Sequence, residues 1–297
     1  MWYYALAHRP NKVREVMNLL ISYSLLQSTT YPPPSDLDEH LHRLLSQRND
    51  TLKEFANQDL EAAELLGKML SGYASLRQFY ELRDGGGADS LARRQQAAAA
   101  LMSVIASADD NIRGGLYDQT RDAIVSEDFV LALLGEATVF VSGADHAFNT
   151  DGGGGSAPAI SLAQIDVLLK AVEDLETVGG RVYGACDEFL GLVLASAPGV
   201  LKGATPADLL RKSTSGMSGS FVLAGSSMMM ASGRSMGGGG GGGATGAFGK
   251  AGVRRGWDWR AGMAVGAKGE DVLKGLRMGL AKDLARLWLE EADGAMW

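Results

Sequence analysis

Few residues in this chain have types and spacings that could do chemistry, and each group fails a specific requirement. The run of seven glycines from Gly237 to Gly243, followed by Gly249-Lys250, invites comparison with a phosphate-binding loop. Such a loop needs a strand, then Gly-x-x-x-x-Gly-Lys-Ser/Thr, then a helix, so that backbone N–H groups ring the phosphates and a hydroxyl reaches magnesium. Here Ala244 stands at the first glycine and Ala251 at the hydroxyl. A serine nucleophile needs Gly-x-Ser-x-Gly on a sharp strand-to-helix turn. Gly216-Met217-Ser218-Gly219 falls one residue short of that spacing. His40 and His42 are two apart on an expected helix, where their rings diverge, whereas zinc favours ligands three or four apart plus a third. Cys186 lies in a helical pattern with no nearby base to stabilise its thiolate, and is expected to be buried and inert. The adjacent carboxylates Glu173-Asp174 and Glu290-Glu291 are expected on solvated helix faces. No catalytic, cofactor or metal constellation is expected.

The elements that would have to position such groups are helices. Apolar residues recur at steps of three and four from Asn11 to Gln27, before Pro32-Pro33-Pro34 breaks the pattern. A short helix should follow to about Ser46, capped by Ser35 or Asp36. A longer one should run from a cap at Asp50 to Arg83, bent or split at Gly67 and Gly72. Ser90–Ala108 and Thr120–Val141 read as further helices. Ser161 and Gln164 spell a capping box, with Ile160 and Ile165 spaced as its hydrophobic staple. The helix it opens, Leu162–Glu176, carries an apolar stripe, and Val182–Ala197 and a short helix from Thr205-Pro206 follow. The last helix, Glu270–Glu291, presents Leu273, Leu276, Leu280, Leu284 and Leu287 along one side. No run of residues alternates with the period of a strand.

The fold expected is therefore all-α, an antiparallel helical stack resembling an α-solenoid tail. It is divided into a helical segment over 1–212, a disordered Ser/Gly/Met-rich insertion over 213–253, and a C-terminal helix over 254–297 that packs back on the Leu162–Glu176 helix. The composition agrees: 46% of the 297 residues are apolar and 21% charged, while Gly, at 40 residues, is about twice the usual share of roughly 7%. The formal charge of −7 disfavours nucleic acid or anionic lipid as the main partner. A single cysteine excludes an intrachain disulfide framework. No apolar run reaches the ~20 residues that cross a bilayer, so membrane insertion is not expected. The first ten residues lack the pattern of a signal peptide and lead almost directly into an apolar helix, as if the chain began inside a helical array. Two features stand above background. Ser213, Ser215 and Ser218 lie near Arg211 and Lys212, a candidate phosphorylation segment. Trp257 and Trp259 flank Asp258 just before the last helix, where they could pin the returning chain to its core or to a partner.

Two stretches carry a resemblance to a known family. Ile160-Ser161-Leu162-Ala163-Gln164 through Val172-Glu173-Asp174-Leu175-Glu176 resembles a hydrophobic-Ser-x-x-Gln segment leading to Leu-Glu-Asp-Leu in the eighty-five-kilodalton nucleoporins of the Y-shaped nuclear pore subcomplex. The stretch from Val272 to Arg286 is similar to the closing helix of that family, with its Leu-Arg-x-x-Leu-Ala-x-x-Leu-Ala-Arg rhythm. Upstream, Leu70 to Tyr80 sits where the family has a tyrosine-bearing helix, followed in both by an Ala-rich one. The order agrees over roughly Asp36 to Glu291, apart from insertions. The resemblance implies a C-terminal, non-catalytic scaffold piece in a hetero-oligomer at the nuclear envelope, supporting nucleocytoplasmic transport and mRNA export. Its implied neighbours are the large arm nucleoporin and the stem nucleoporin at the hub of the Y. The family's N-terminal strand blade and most of its helical trunk have no counterpart among the matched residues. A helical subunit of a vesicle-coat or membrane-tethering complex would follow from the same physics.

Overall fold

The structure, a computed structural model, describes residues 1–85, 91–118, 121, 124–141, 160–197, 258–264 and 266–294, with side chains to residue 289. Among these residues there are α-helices, short 3₁₀ turns and no strand, as the periodicity implies. The helices are α1 (Trp2–Leu6), α2 (Pro10–Gln27), α3 (Glu39–Ser46), α4 (Arg48–Ala56), α5 (Leu60–Asp84), α6 (Leu91–Asp109), α7 (Val130–Ala137), α8 (Leu162–Thr177), α9 (Gly180–Ala195) and α10 (Gly269–Gly294).

The long helix α5 is the spine on one side, with α1, α2, α4 and α6 packed around it. Its start is set by Asp59, whose side chain accepts the Ala62 N–H at 2.9 Å. The expected helix from Asp50 to Arg83 is therefore two helices, broken at 57–59 rather than at its glycines. Gly67 and Gly72 lie inside an unbroken α5 as packing notches: a Cβ on Gly67 would meet Leu52 of α4 at 3.0 Å, and one on Gly72 would meet Val125 at 2.4 Å. The cap of α3 is Asp38, accepting from the His40 N–H at 3.2 Å, and not Ser35 or Asp36, which sit in a 3₁₀ turn with Pro34.

Helix α7 is the centre of the second half. All eight of its residues are buried, and α6, α8, α9 and α10 surround it. The expected Thr120–Val141 helix is shorter for a physical reason. Val125 seats in the Gly72 notch, which holds Ser126 extended, so helical structure begins only at the 3₁₀ turn Glu127–Phe129. It ends in a second 3₁₀ turn at Thr138–Phe140, after which Val141 is extended. The capping box of α8 forms as spelled: the Gln164 N–H donates to Ser161 Oγ at 3.4 Å, and the Ser161 N–H donates to Gln164 Oε1 at 2.8 Å. Both staple residues, Ile160 and Ile165, lie in the core. The glycine-rich stretch 213–253 and the helix expected from Thr205-Pro206 lie outside the described residues.

Candidate functional site

The last helix places its stripe residues in two environments. Leu273, Leu276 and Leu280 are core residues, while Leu284 and Leu287 are half-buried, and Asp283 is buried alongside them. Helix α10 lies against α8, as the stripe implies, and also against α7 and α9. Its start is fixed by the Gly269 N–H, which donates to Asp187 Oδ1 at 2.7 Å, and by the approach of Leu131, which a Gly269 Cβ would meet at 2.7 Å. Arg277 pairs with Glu176 of α8. On the far side Met278, Ala281, Ala285, Trp288 and Leu289 are exposed at helical spacing, Trp288 to 66%. Among the described residues nothing covers that second apolar face, and Met278 and Trp288, which the spacing would count with the leucine stripe, lie on it instead.

Trp259 is buried, and its indole lies so close to α7 that a Cβ on Gly135 would fall 2.4 Å from the ring. It anchors the returning chain to the core. Trp257, Ser213, Ser215 and Ser218 lie outside the described residues.

Next to Trp259 sits a buried polar knot. The Glu136 carboxylate, on α7, accepts from the Tyr80 hydroxyl at 2.9 Å, from Ser28 Oγ at 3.0 Å and from Arg83 Nη1 at 3.2 Å. Arg83 also donates to Ser28 Oγ at 2.7 Å, to the Ser28 carbonyl, and to Asp84 at 2.9 Å. Burial opposes the Arg83 charge, but Glu136 and Asp84 outweigh it and push its pKa up. Burial and the neighbouring Glu136 push the Tyr80 hydroxyl well up. Ser28 closes α2 in the left-handed region, at φ 47°. A glycine would adopt that backbone more cheaply, yet only a hydroxyl serves both Arg83 and Glu136. Arg260 completes the knot, pairing with Asp258 through two bonds of 2.8 Å and donating to the Leu26 carbonyl at 3.0 Å. Although burial opposes it, Arg260 holds the Asp258 carboxyl below its usual range. Four separate segments thus meet at paired charges. The sequence carried one signal for this site: Glu136 is the single charge in the apolar run from Phe129 to Val141.

A second buried polar cluster lies where α6, α8 and the turn Arg113–Gly115 meet. Asp109 and Asp174 are each over nine-tenths buried. The Gly114 N–H donates to Asp174 Oδ1 at 2.9 Å, and Asn111 donates to Glu127 Oε2 at 2.7 Å. Asp109 Oδ1 and Asp174 Oδ2 are buried without a donor. Burial and then the charge of Asp174 raise the Asp109 carboxyl to about 6. Asp128, nearby in sequence, is pushed to about 6 by burial and by Glu127. The reading of Glu173-Asp174 as a solvated pair is corrected: Glu173 is exposed, but Asp174 faces inward because it closes the 113–115 turn onto α8.

His40 and His42 are exposed. Cys186 is buried, its thiol donates to the Glu127 carbonyl at 3.2 Å, and burial with the nearby Asp128 pushes its pKa well up. That is the opposite of a nucleophile's environment. Among the described residues no three His, Cys, Asp or Glu side chains are grouped as metal ligands, and no helix is long and apolar enough to cross a membrane. What the described residues offer is a filled interior with an apolar face of α10 left uncovered.

Comparison with known proteins gives a consistent answer. The chain is 66% identical over 301 aligned residues to nucleoporin NUP85 of Chaetomium thermophilum. The match takes in the whole of this chain and spans 25% of that protein's length. Identity at that level across the whole chain makes the two sequences homologous, and the resemblance drawn from the capping box and the last helix holds. No protein-family model matches the chain, and no solved structure matches it.

Proposed function

We propose that this homologue of a nucleoporin is a C-terminal scaffold piece of the nuclear pore's Y-shaped outer-ring complex, resident at the nuclear envelope and without catalytic activity of its own. The observation that carries the reading is the identity, shared over the whole chain, with a protein named as a nucleoporin. The geometry supports it from a second side. A packed interior with two buried polar joints serves rigidity, and a rigid helical block with an apolar face uncovered among the described residues suits assembly through helix packing. The occupants of the Met278, Ala281, Ala285, Trp288 and Leu289 face are, on this reading, helices of other Y-complex nucleoporins, the large arm and the stem subunit at the hub. The piece thereby supports nucleocytoplasmic transport and mRNA export without touching nucleic acid or inserting into a membrane. Phosphorylation at Ser213, Ser215 or Ser218 would add negative charge to the Ser/Gly/Met-rich stretch.

The test is affinity purification of the tagged native protein. The expected outcome is co-purification of an outer-ring nucleoporin set, diminished by Trp288→Ala combined with Leu289→Ala. Recovery of vesicle-coat or tethering subunits instead would sink the proposal and favour the rival helical-coat reading.

A further inference from the structure

We propose that Asp109 and Asp174 hold one proton between them, making the joint of α6 with α8 a pH-dependent clamp within the scaffold. The argument starts from geometry. The two carboxyl groups come from different helices, both are over nine-tenths buried, and each keeps one oxygen, Asp109 Oδ1 and Asp174 Oδ2, that no donor reaches. Two carboxylates in a buried contact cannot both stay ionised, because their repulsion adds to the desolvation of each. A proton on one carboxyl turns the pair into an acid donating to a carboxylate, which removes both the repulsion and the orphaned acceptor.

The charged groups around the pair do not supply another remedy. Lys170 of α8 and Arg113 of the turn act on Asp109 from a distance. Arg113 is taken up by Asp110 at 2.6 Å. The third element at the joint, the 3₁₀ turn Glu127–Phe129, brings Glu127, whose carboxylate is satisfied by Asn111. The Asp109 carboxyl, raised to about 6 in the fold from an ordinary 3.8, agrees in direction. The sign follows from it: the folded state binds the extra proton, so the clamp's stabilisation is complete below about 4 and is lost as pH rises through about 6. For a single site the folding equilibrium then changes by nearly tenfold per pH unit across that window. Because α8 also seats α10, loosening this joint would be felt at the helix whose outer face is left for a partner.

The experiment is a carbon-detected NMR titration of the Asp109 and Asp174 side-chain carboxyls in the full chain, together with urea unfolding of wild type and Asp109→Asn across the same pH range. The expected result is one carboxyl titrating near 6, with Asp109→Asn shallower than wild type by one proton's worth of slope and more stable near neutrality. Both carboxyls titrating near 4 would overturn the proposal, as would an unchanged slope in the variant. Stabilisation by added magnesium or calcium at neutral pH, in place of stabilisation by acid, would also overturn it and identify the pair as a cation site.

Discussion

The two buried polar clusters solve the same problem in opposite ways. Around Glu136 every charge taken out of water meets an opposite charge or a donor: Arg83 and Arg260 supply the cations, Tyr80 and Ser28 the neutral donors. Around Asp109 and Asp174 acids face acids, and the cations that act on Asp109, Lys170 and Arg113, do not offset its burial beside Asp174. The first cluster gathers segments distant in the chain, from Ser28 to Arg260, so its pairing specifies which segments meet. The second joins helices that apolar packing already holds together, so it adjusts the strength of a joint that exists without it. Charge buried by pairing cannot be undone by a moderate change of pH, whereas charge avoided by protonation can.

The largest effect expected from breaking this contrast is at Glu136. Replacing it by Ala leaves Arg83 buried without its partner, which costs about 3–5 kcal/mol, readable as a lower urea midpoint. The double change Glu136→Leu with Arg83→Met should recover most of that loss, because an apolar pair of similar volume has no desolvation to offset. If the single variant lost less than the double one, the knot would be incidental to the packing.

A third kind of buried acid can be made deliberately. Leu280 is fully buried on α10, among the residues of the hydrophobic core. Leu280→Asp is expected to cost several kcal/mol, about 2–4, at neutral pH, and less at about pH 5 as the new carboxyl takes up a proton. Leu284→Asp, half-exposed, should cost under about 1 kcal/mol. Equal losses at the two positions would mean that α10 does not sit as described. The spacing puts both leucines on one stripe; Leu280 turns into the core, whereas Leu284 is half-buried.

Asp128 allows a gentler version of the comparison. Its carboxyl is raised to about 6, so the folded state favours its protonated form and stability falls as pH rises through that value. Asp128→Asn should raise stability near neutrality by up to about 3 kcal/mol, the ceiling set by a shift of about two pKa units, and change little at about pH 4. A variant less stable at neutral pH than wild type would show that the ionised Asp128 is held by a favourable contact.

Much of the fold was legible because helical periodicity, the capping box and the proline break are local, and the core side of the last helix follows from its spacing alone. What was not legible is long-range. Nothing local to Gly72 says that Val125 will dock there, and that contact cut the expected Thr120–Val141 helix down to Val130–Ala137. Asp174 looked like half of a solvated pair because its neighbour Glu173 is one; its inward turn depends on the Gly114 N–H sixty residues earlier. Glu136 was the exception, a lone charge in an apolar run that could have been read as the centre of a buried ion pair. Its partners, Arg83 and Ser28, could not have been named without the fold.

The smallest effect on stability is expected at Trp288, and it separates scaffold from interface. Its side chain is two-thirds exposed and takes no part in either cluster. Trp288→Ala should therefore shift stability within about 0.5 kcal/mol, as surface substitutions away from buried features do. If the outer face of α10 is where a partner helix lies, the same variant should weaken assembly strongly, since large aromatics at the centre of an interface carry much of its energy. Leu280→Asp should weaken assembly too, but only in proportion to its loss of stability. A binding defect at Trp288 without a folding defect would assign the outer face to recognition and the inner face to the core; a folding defect there would merge the two and make the outer face part of the fold.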